Sequence, residues 1–250
     1  MKAIILAAGN SSRLGGITKK IPKGLLKING KSIIQRQIEI YEKNGIKDII
    51  IITGPNSEKF DIKDVTYIHD DNYKNHDVLG SLMVGKKFMK NGFIMSYSDI
   101  IYDEKILKKI IEFKGKIGIA VDLDWEKKYV GRSEHPKSQA DNVLIENVKI
   151  KKIKKNILKC EKFQKMGEFV GLMKISNIGT EIFVEKFNEL LESHQGKFQD
   201  ASSIKKAYLT DLIQELIDSN IQIDPIEISG NWYEIDTPQD LEKVKKILSN

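Results

Sequence analysis

Cysteine is nearly absent. Cys160 stands alone in 250 residues, so neither an internal disulfide nor a cysteine-built zinc site can form. The four histidines, His69, His76, His135 and His194, show no HExxH-type spacing, which sets zinc chemistry aside. Arginine is scarce as well: Arg13, Arg36 and Arg132 are the only three among 41 basic residues. Proteins that read nucleic acid lean on arginine at base edges and on aromatics for stacking, so no nucleic-acid partner is expected. No apolar run approaches the ~20 residues of a membrane helix. The opening stretch Met1–Gly9 is too short for a signal peptide and runs at once into polar residues. The expectation is a cytoplasmic chain without membrane contact. Internal repeats and low-complexity linkers are also missing.

What remains is 40% apolar and 30% charged, a balance that argues against disorder. A chain of this length buries roughly three quarters of its unfolded surface and needs no covalent staples. The net charge of +6 exerts a weak pull on small anions. The densest basic run, Lys149 to Lys165, is interleaved with Ile150, Ile153, Ile157 and Leu158. That pattern suits a solvated strand or helix face, and an acidic partner is the alternative.

Apolar strands alternate with amphipathic helices. Lys2–Ala7, Asp48–Thr53, Val65–His69, Gly92–Ser96 and Ile117–Val121 read as strands. Between them, helices are predicted from Ser32 as N-cap to Asn44-Gly45, over Leu79–Met89 and over Asp103–Phe113. This is the pattern of an α/β fold with a mostly parallel sheet covered on both faces. After Trp125 the texture changes. Val143–Ile145 and Val148–Ile153 predict an antiparallel hairpin, and Phe169–Ile175 a strand returning to the sheet. Helices at Gly179–Ser193 and Ala207–Ser219, a strand near Ile226–Ile228 and a helix over Pro238–Leu248 complete the reading. One domain over residues 1–250, with an inserted β-rich lobe near 122–168, accommodates all of it.

The connection from the first strand to the first helix, residues 8–31, is 24 residues long, whereas such connections usually take roughly 2–6. It carries Gly9, Gly15, Gly16, Gly24 and Gly30 with Ser11, Ser12, Arg13, Lys19, Lys20 and Lys23. Glycines let backbone N–H groups approach an anion, and the serines and cations add donors and charge. Placed at the carboxyl end of a parallel strand, where such folds bind ligands, the loop reads as a polyphosphate cradle. It is neither a P-loop nor a GxGxxG fingerprint.

Two acidic positions suit a divalent cation. Asp99 follows the strand Gly92–Ser96 directly and so faces the ligand crevice. Glu234 and Asp236 lie two apart in Trp232-Tyr233-Glu234-Ile235-Asp236-Thr237-Pro238, so an extended segment turns both to one side. Mg²⁺ takes one or two carboxylates and completes its shell with phosphates and water.

Leu6-Ala7-Ala8-Gly9-Asn10-Ser11-Ser12-Arg13-Leu14-Gly15, followed by Ile21-Pro22-Lys23, resembles the LAAGxxxRxG…PK signature of the nucleotidyltransferases. The resemblance implies a three-layer Rossmann-like fold, a loop that wraps an NTP triphosphate, contacts to it from Arg13 and Lys23, and a base lying over Ala7–Gly9. It also implies Mg²⁺ held by Asp99 and Asp236, with Glu234 beside them. Asn72 to Leu82 is similar to the N-x-Y…N-x-x-SL segment of phosphocholine and phosphonate cytidylyltransferases. Ser81 matches that pattern, whereas Asp77 stands where an asparagine is common and reads equally as a helix cap. Asp122-Leu123-Asp124-Trp125, Tyr129-Val130-Gly131-Arg132, Gly167-Glu168, Tyr208-Leu209-Thr210-Asp211 and the Trp232 segment extend the likeness over nearly the whole chain.

The resemblance implies CTP as donor and a small phospho-acceptor bearing a nitrogen group: glutamine phosphate, as in capsule phosphoramidate assembly, ahead of phosphocholine and 2-aminoethylphosphonate. Asp122, Asp124, Trp125, Tyr129, Glu168 and Asp211 could meet such a group by charge or an aromatic face, and Arg132 could grip an anion with two donors. Trp125 and Tyr129 could equally be core. A homodimer is a further expectation from the family. Two other readings stand beside this one: a sugar-1-phosphate nucleotidyltransferase using UTP or dTTP, and a non-enzymatic binder of anions driven by the lysine run.

Overall fold

The computed structural model describes residues 1–9, 12–17, 21–157 and 159–249, with Ser12 and Ile17 described by their backbone alone. Strand β1 (Lys2–Ala7) is buried on both faces: Ala3, Ile5 and Ala7 enter one core, Ile4 and Leu6 the other. An apolar strand with no polar face can only sit inside a sheet. Next come β2 (Lys27–Ile28) and β3 (Lys31–Ser32), a short hairpin turning at Asn29-Gly30, where both residues have positive φ. Asn-Gly favours such a turn, and here it divides the long connection that reads as one loop in sequence.

Helix α1 (Ile33–Lys43) starts at the expected Ser32, where a reciprocal capping box with Gln35 satisfies two backbone donors. Strands β4 (Asp48–Thr53) and β5 (Thr66–His69) follow. Helix α2 (Val78–Val84) is shorter than the predicted Leu79–Met89. Gly85 is its C-cap, donating its N–H to the Leu82 carbonyl at 3.0 Å, and Lys86–Phe88 tighten into a single 3-10 turn. Strands β6 (Phe93–Tyr97) and β7 (Ile100–Tyr102), helix α3 (Glu104–Glu112) and β8 (Ile117–Asp122) complete the first half.

The second half holds β9 (Asp141–Glu146), β10 (Lys149–Lys155), β11 (Lys165–Ile175), α4 (Asn177–Ser193), α5 (Leu209–Asp218), β12 (Asp224–Ile228), β13 (Trp232–Glu234) and α6 (Pro238–Ile247). Strands β6, β1, β4 and β5 pair parallel, as do β8 and β12. β11 runs antiparallel to β6, β8 and β9, so the β9–β10 hairpin extends the same sheet, nine-stranded among the described residues. The segment expected as an inserted lobe is therefore continuous with the main sheet. β11 shifts register around Gly171, whose φ of 74° a side chain would strain and whose Cβ would strike Tyr97 at 2.3 Å.

The sheet is covered by α2, α4 and α5 on one face and by α1 and α3 on the other, giving three layers. The feature unread in the sequence is a separate ribbon. β7 and β13 pair antiparallel, Ile100 opposite Glu234 and Tyr102 opposite Trp232. It ties the chain's end to the carboxyl edge of the central strands.

Candidate active site

A cleft of about 540 Å³ opens at the carboxyl ends of β1 and β6. Leu6, Ala7, Ala8 and Gly9 line it from β1, and Ser98 and Asp99 from the turn after β6. That turn is held from behind. Gln37, buried in α1, donates to the Tyr97 and Ile100 carbonyls at 2.8 and 2.7 Å and accepts from Ser96 Oγ at 2.9 Å. A polar side chain at an apolar helix position thus fixes the backbone that presents Asp99.

The Pro-Lys-Gly sequence at 22–24 sets the opposing cation. Pro22 precedes a 3-10 turn over Lys23–Leu25, and a Cβ at Gly24 would stand 2.5 Å from Ile34 and 3.0 Å from Ser98. Only glycine permits that approach, which brings Lys23 beside Asp99. Lys23 Nζ lies 2.9 Å from Asp99 Oδ2 and also pairs with Asp236 Oδ1. Asp236 arrives through the β7–β13 ribbon, where the Ile235 N–H donates to the Asp99 carbonyl at 3.0 Å. Two aspartates 137 positions apart in sequence thereby share one ammonium.

Around that triad, Arg13 reaches Asp236 Oδ2 at 2.8 Å and donates to Gln139 Oε1 at 2.9 Å, with half its side chain exposed to the cleft. His135 Nδ1 lies 3.1 Å from Asp236 Oδ2 and 3.5 Å from Glu234 Oε2. Burial opposes the Lys23 ammonium, yet Asp99 and Asp236 outweigh it and hold its pKa above that of an ordinary lysine. Burial likewise opposes charge on Asp236, but the His135 hydrogen bond and the Lys23 and Arg13 cations hold it well below the usual carboxylate range. Glu234 is pushed up, by burial first and by Asp236 next.

Of the residues singled out in the sequence, Leu6, Ala7, Ala8, Gly9, Arg13, Lys23, Asp77, Ser81, Asp99, Glu234 and Asp236 all line this cleft. Asp77 is at once the N-cap of α2, accepting the Val78 N–H at 3.0 Å. Asn10, Ser11, Lys19 and Lys20 lie outside the described residues, and of Ser12 only the backbone is described.

The acceptor candidates are placed elsewhere: none of Asp122, Trp125, Tyr129, Arg132, Glu168 and Asp211 lines the cleft. Asp122 is fully buried and accepts from Trp232 Nε1 at 2.7 Å. Arg132 spends its guanidinium on Asp240, with two contacts at 2.6 and 3.0 Å, and on Glu234 at 2.8 Å. Asp211 accepts the Tyr208 N–H at 2.7 Å at the start of α5. Trp125 and Tyr129 pack edge to face at 5.8 Å in a small core of their own. Tyr129 donates to Glu168 Oε1; burial pushes that carboxyl up to about 8, and its other oxygen is buried without a hydrogen-bond partner among the described residues.

His135, Gln139, Asp141, Lys155, Lys206 and Tyr208 line the cleft without having been expected there. His135 could not have been found by spacing, since the acids beside it are about 100 residues away in sequence. Asp141 opens β9, whose apolar run Val143–Ile145 was legible, but nothing local marked the acid itself. Burial raises it to about 6.

A parallel-sheet cleft whose base joins a lysine to two distant aspartates, entered by a glycine-punctuated loop, marks a nucleotidyltransferase, and the chain belongs to the MobA-like NTP transferase family, whose domain model matches residues 3–126. It is 30% identical to the CTP:phosphoglutamine cytidylyltransferase of Campylobacter jejuni over 97% of this chain and 98% of that protein. It is 29% identical to the bifunctional IPC transferase and DIPP synthase of Aquifex aeolicus, over 98% of this chain but 51% of that longer protein. The solved CTP:phosphocholine cytidylyltransferase of Streptococcus pneumoniae superposes with a TM-score of 0.73 at 24% identity, covering 99% of this chain and 98% of that one. The inositol-1-phosphate CTP transferase of T. maritima gives 0.73 at 20%, covering 99% and 94%. At those identities the two structures establish the shared fold. Among the described residues, no helix is long and apolar enough to cross a membrane.

Proposed function

We propose that this protein transfers CMP from CTP to a small phosphorylated acceptor bearing a nitrogen group, with phosphoglutamine the first candidate. The observation that carries the reading is Lys23 wedged between Asp99 and Asp236 at the base of the cleft. An ammonium shared by two carboxylates, Asp236 buried and Asp99 partly exposed, is positive charge held ready for a polyanion. The same carboxylates fit Mg²⁺: they are hard oxygen ligands already converging on one cation, and Asp99 Oδ1 is buried without a hydrogen-bond partner among the described residues. Asp99 and Asp236 would hold the ion, with Glu234 nearby. Bound there with the triphosphate, it supplies charge neutralisation across the reacting phosphates.

The acceptor's phosphoryl oxyanion is already a nucleophile at neutral pH and needs no general base. Its oxygen attacks the α-phosphorus in line; a new P–O bond forms as the bond to pyrophosphate breaks. The obstacle is repulsion between anions, so the chain contributes position and positive charge. Lys23 exchanges its carboxylate partners for phosphate oxygens, and half-exposed Arg13 closes on the same group.

Phosphoglutamine carries a carboxylate as well as an ammonium. Lys155 and Lys206 lie in the cleft wall with Asp141, Asp77 and the Tyr208 ring, over which Lys155 sits at 5.2 Å. Mixed charge of this kind suits an amino-acid head group better than choline, which offers only a cation. The name of the Campylobacter jejuni relative supports the same choice.

The test is pyrophosphate release from each of four NTPs against phosphoglutamine, phosphocholine, 2-aminoethylphosphonate and hexose 1-phosphates. CTP with phosphoglutamine is expected to lead, and Lys155→Ala with Lys206→Ala to erode that lead over phosphocholine. Preference for UTP or dTTP with a hexose phosphate would overturn the cytidine reading in favour of sugar-1-phosphate chemistry. Salt-sensitive oligonucleotide binding with no pyrophosphate release would favour a non-enzymatic anion binder.

A further inference from the structure

Behind the cleft wall lies a carboxylate with no part in the chemistry above. Asp70 directly follows β5 and is fully buried, its N–H donating to the Thr53 carbonyl at 2.8 Å. Its Oδ2 meets two side chains, Ser81 Oγ at 2.7 Å and His76 Nε2 at 2.6 Å. Its Oδ1 accepts the Asn72 N–H at 3.0 Å. Ser81 and His76 line the cleft, whereas Asp70 does not.

A carboxylate accepts hydrogen bonds and cannot donate them. The Ser81 hydroxyl proton and the His76 Nε2 proton therefore both point at Asp70. A hydroxyl has one proton; with that proton committed inward, Ser81 Oγ can act toward the cleft only as an acceptor. His76 is locked in turn, since a Cβ on Gly80 would lie 2.4 Å from its Cγ. The serine stands one helical turn from Val78, which with Leu6, Ala7 and Ala8 forms the apolar lining against which a flat base would lie. Cytosine differs from uracil in offering an N4 amino donor where uracil offers an O4 acceptor.

We infer that Asp70 is a positioning residue that fixes Ser81 as a hydrogen-bond acceptor and thereby selects a pyrimidine with a 4-amino group over one with a 4-carbonyl. A serine free to rotate would serve either base. The buried carboxylate removes that freedom, and uracil meets acceptor with acceptor. This assignment rests on the cytidine reading above and adds the group that enforces it.

The experiment is equilibrium binding of CTP and of UTP, each with Mg²⁺ and without acceptor, to full-length wild type, D70N and S81A, beside pyrophosphate release with the same nucleotides. Wild type is expected to bind CTP at least about tenfold tighter than UTP, the size of one net hydrogen bond. In D70N the amide nitrogen can donate to Ser81, whose proton then turns to the cleft. The CTP/UTP ratio falls about tenfold, with UTP binding unchanged or stronger. S81A weakens CTP alone, and the double variant D70N/S81A matches S81A, because Asp70 acts through the serine.

An unchanged ratio in D70N, or equal losses for both nucleotides, overturns the inference. If D70N does not fold, S81T decides: it keeps the hydroxyl and must keep the wild-type ratio, and loss of the ratio overturns the assignment. CTP-selective binding that depends on Asp70, in a protein that releases no pyrophosphate, upholds it while the transfer reading falls. Turnover with CTP and no dependence of base choice on Asp70 does the reverse.

Discussion

Lys23 binds two carboxylates that would otherwise face each other across the cleft base. Lys23→Met keeps the stem and removes the charge. Pyrophosphate release is expected to fall about 10²–10³-fold, as when one pre-placed donor to a developing charge is lost; a loss under tenfold would remove Lys23 from the chemistry. Glu168 offers a pH test. Its carboxyl is buried against Tyr129 and raised from the ordinary 4.5 to about 8. The folded state therefore favours the neutral form, and the stability tied to that proton is complete below pH 4.5 and drains away as pH rises through 8. Glu168→Gln is neutral throughout. The variant is expected to melt with the wild type near pH 4.5 and several degrees above it at pH 9, at about 2–4 °C per kcal/mol for this size. Melting curves whose gap does not widen with pH would show that Glu168 carries no such shift. Both residues were visible in the sequence, but their surroundings were not. Proline-lysine in a glycine-punctuated loop announced Lys23, whereas nothing local announced that Tyr129 would close over Glu168.

At the scale of elements, the strands and helices follow from local pattern where the pattern is strong. Ser32 caps α1 as expected, and β1 and β4 lie where unbroken apolar runs place them. Two elements differ from the local reading. α2 stops at Gly85, where the chain tightens into a 3-10 turn over Lys86–Phe88, and the β7–β13 ribbon exists because its two halves meet, although neither three-residue piece has a period of its own. Where β1 and β4 leave the sheet, Gly54 passes close behind Ala8; a Cβ there would stand 2.6 Å from the Ala8 carbonyl and 2.9 Å from its Cα. Gly54→Ala must push the cleft wall inward, since backbone cannot swing aside as a side-chain tip can. The expected result is a raised KM for the nucleotide with kcat less affected, at a stability cost of about 1–3 kcal/mol. Unchanged nucleotide affinity would show that this edge of β1 does not support the base.

Over the whole molecule, positive charge is distributed unevenly. The lysines of β10 stand along one edge of the sheet with Ile150 and Ile153 turned inward, an arrangement that discourages added strands. The cleft mixes both signs, and at its base the carboxylates of Asp99, Glu234 and Asp236 converge beside Lys23 and Arg13. Chelation of divalent ions is therefore expected to abolish pyrophosphate release, with recovery on adding Mg²⁺; undiminished turnover in chelator would exclude the ion from these carboxylates. The sequence by itself determined the α/β alternation and singled out Arg13, Lys23, Asp99 and Asp236, which line the cleft, because strand period, capping and glycine placement act over a few neighbouring residues. Only the tertiary structure decided that Asp99 and Asp236 share one lysine, that His135 and Asp70 stand beside the cleft, and that Arg132 is already spent on Asp240 and Glu234. Those pairings join residues tens to hundreds of positions apart, and no local preference encodes which distant partner a charge will meet once burial forces it to find one.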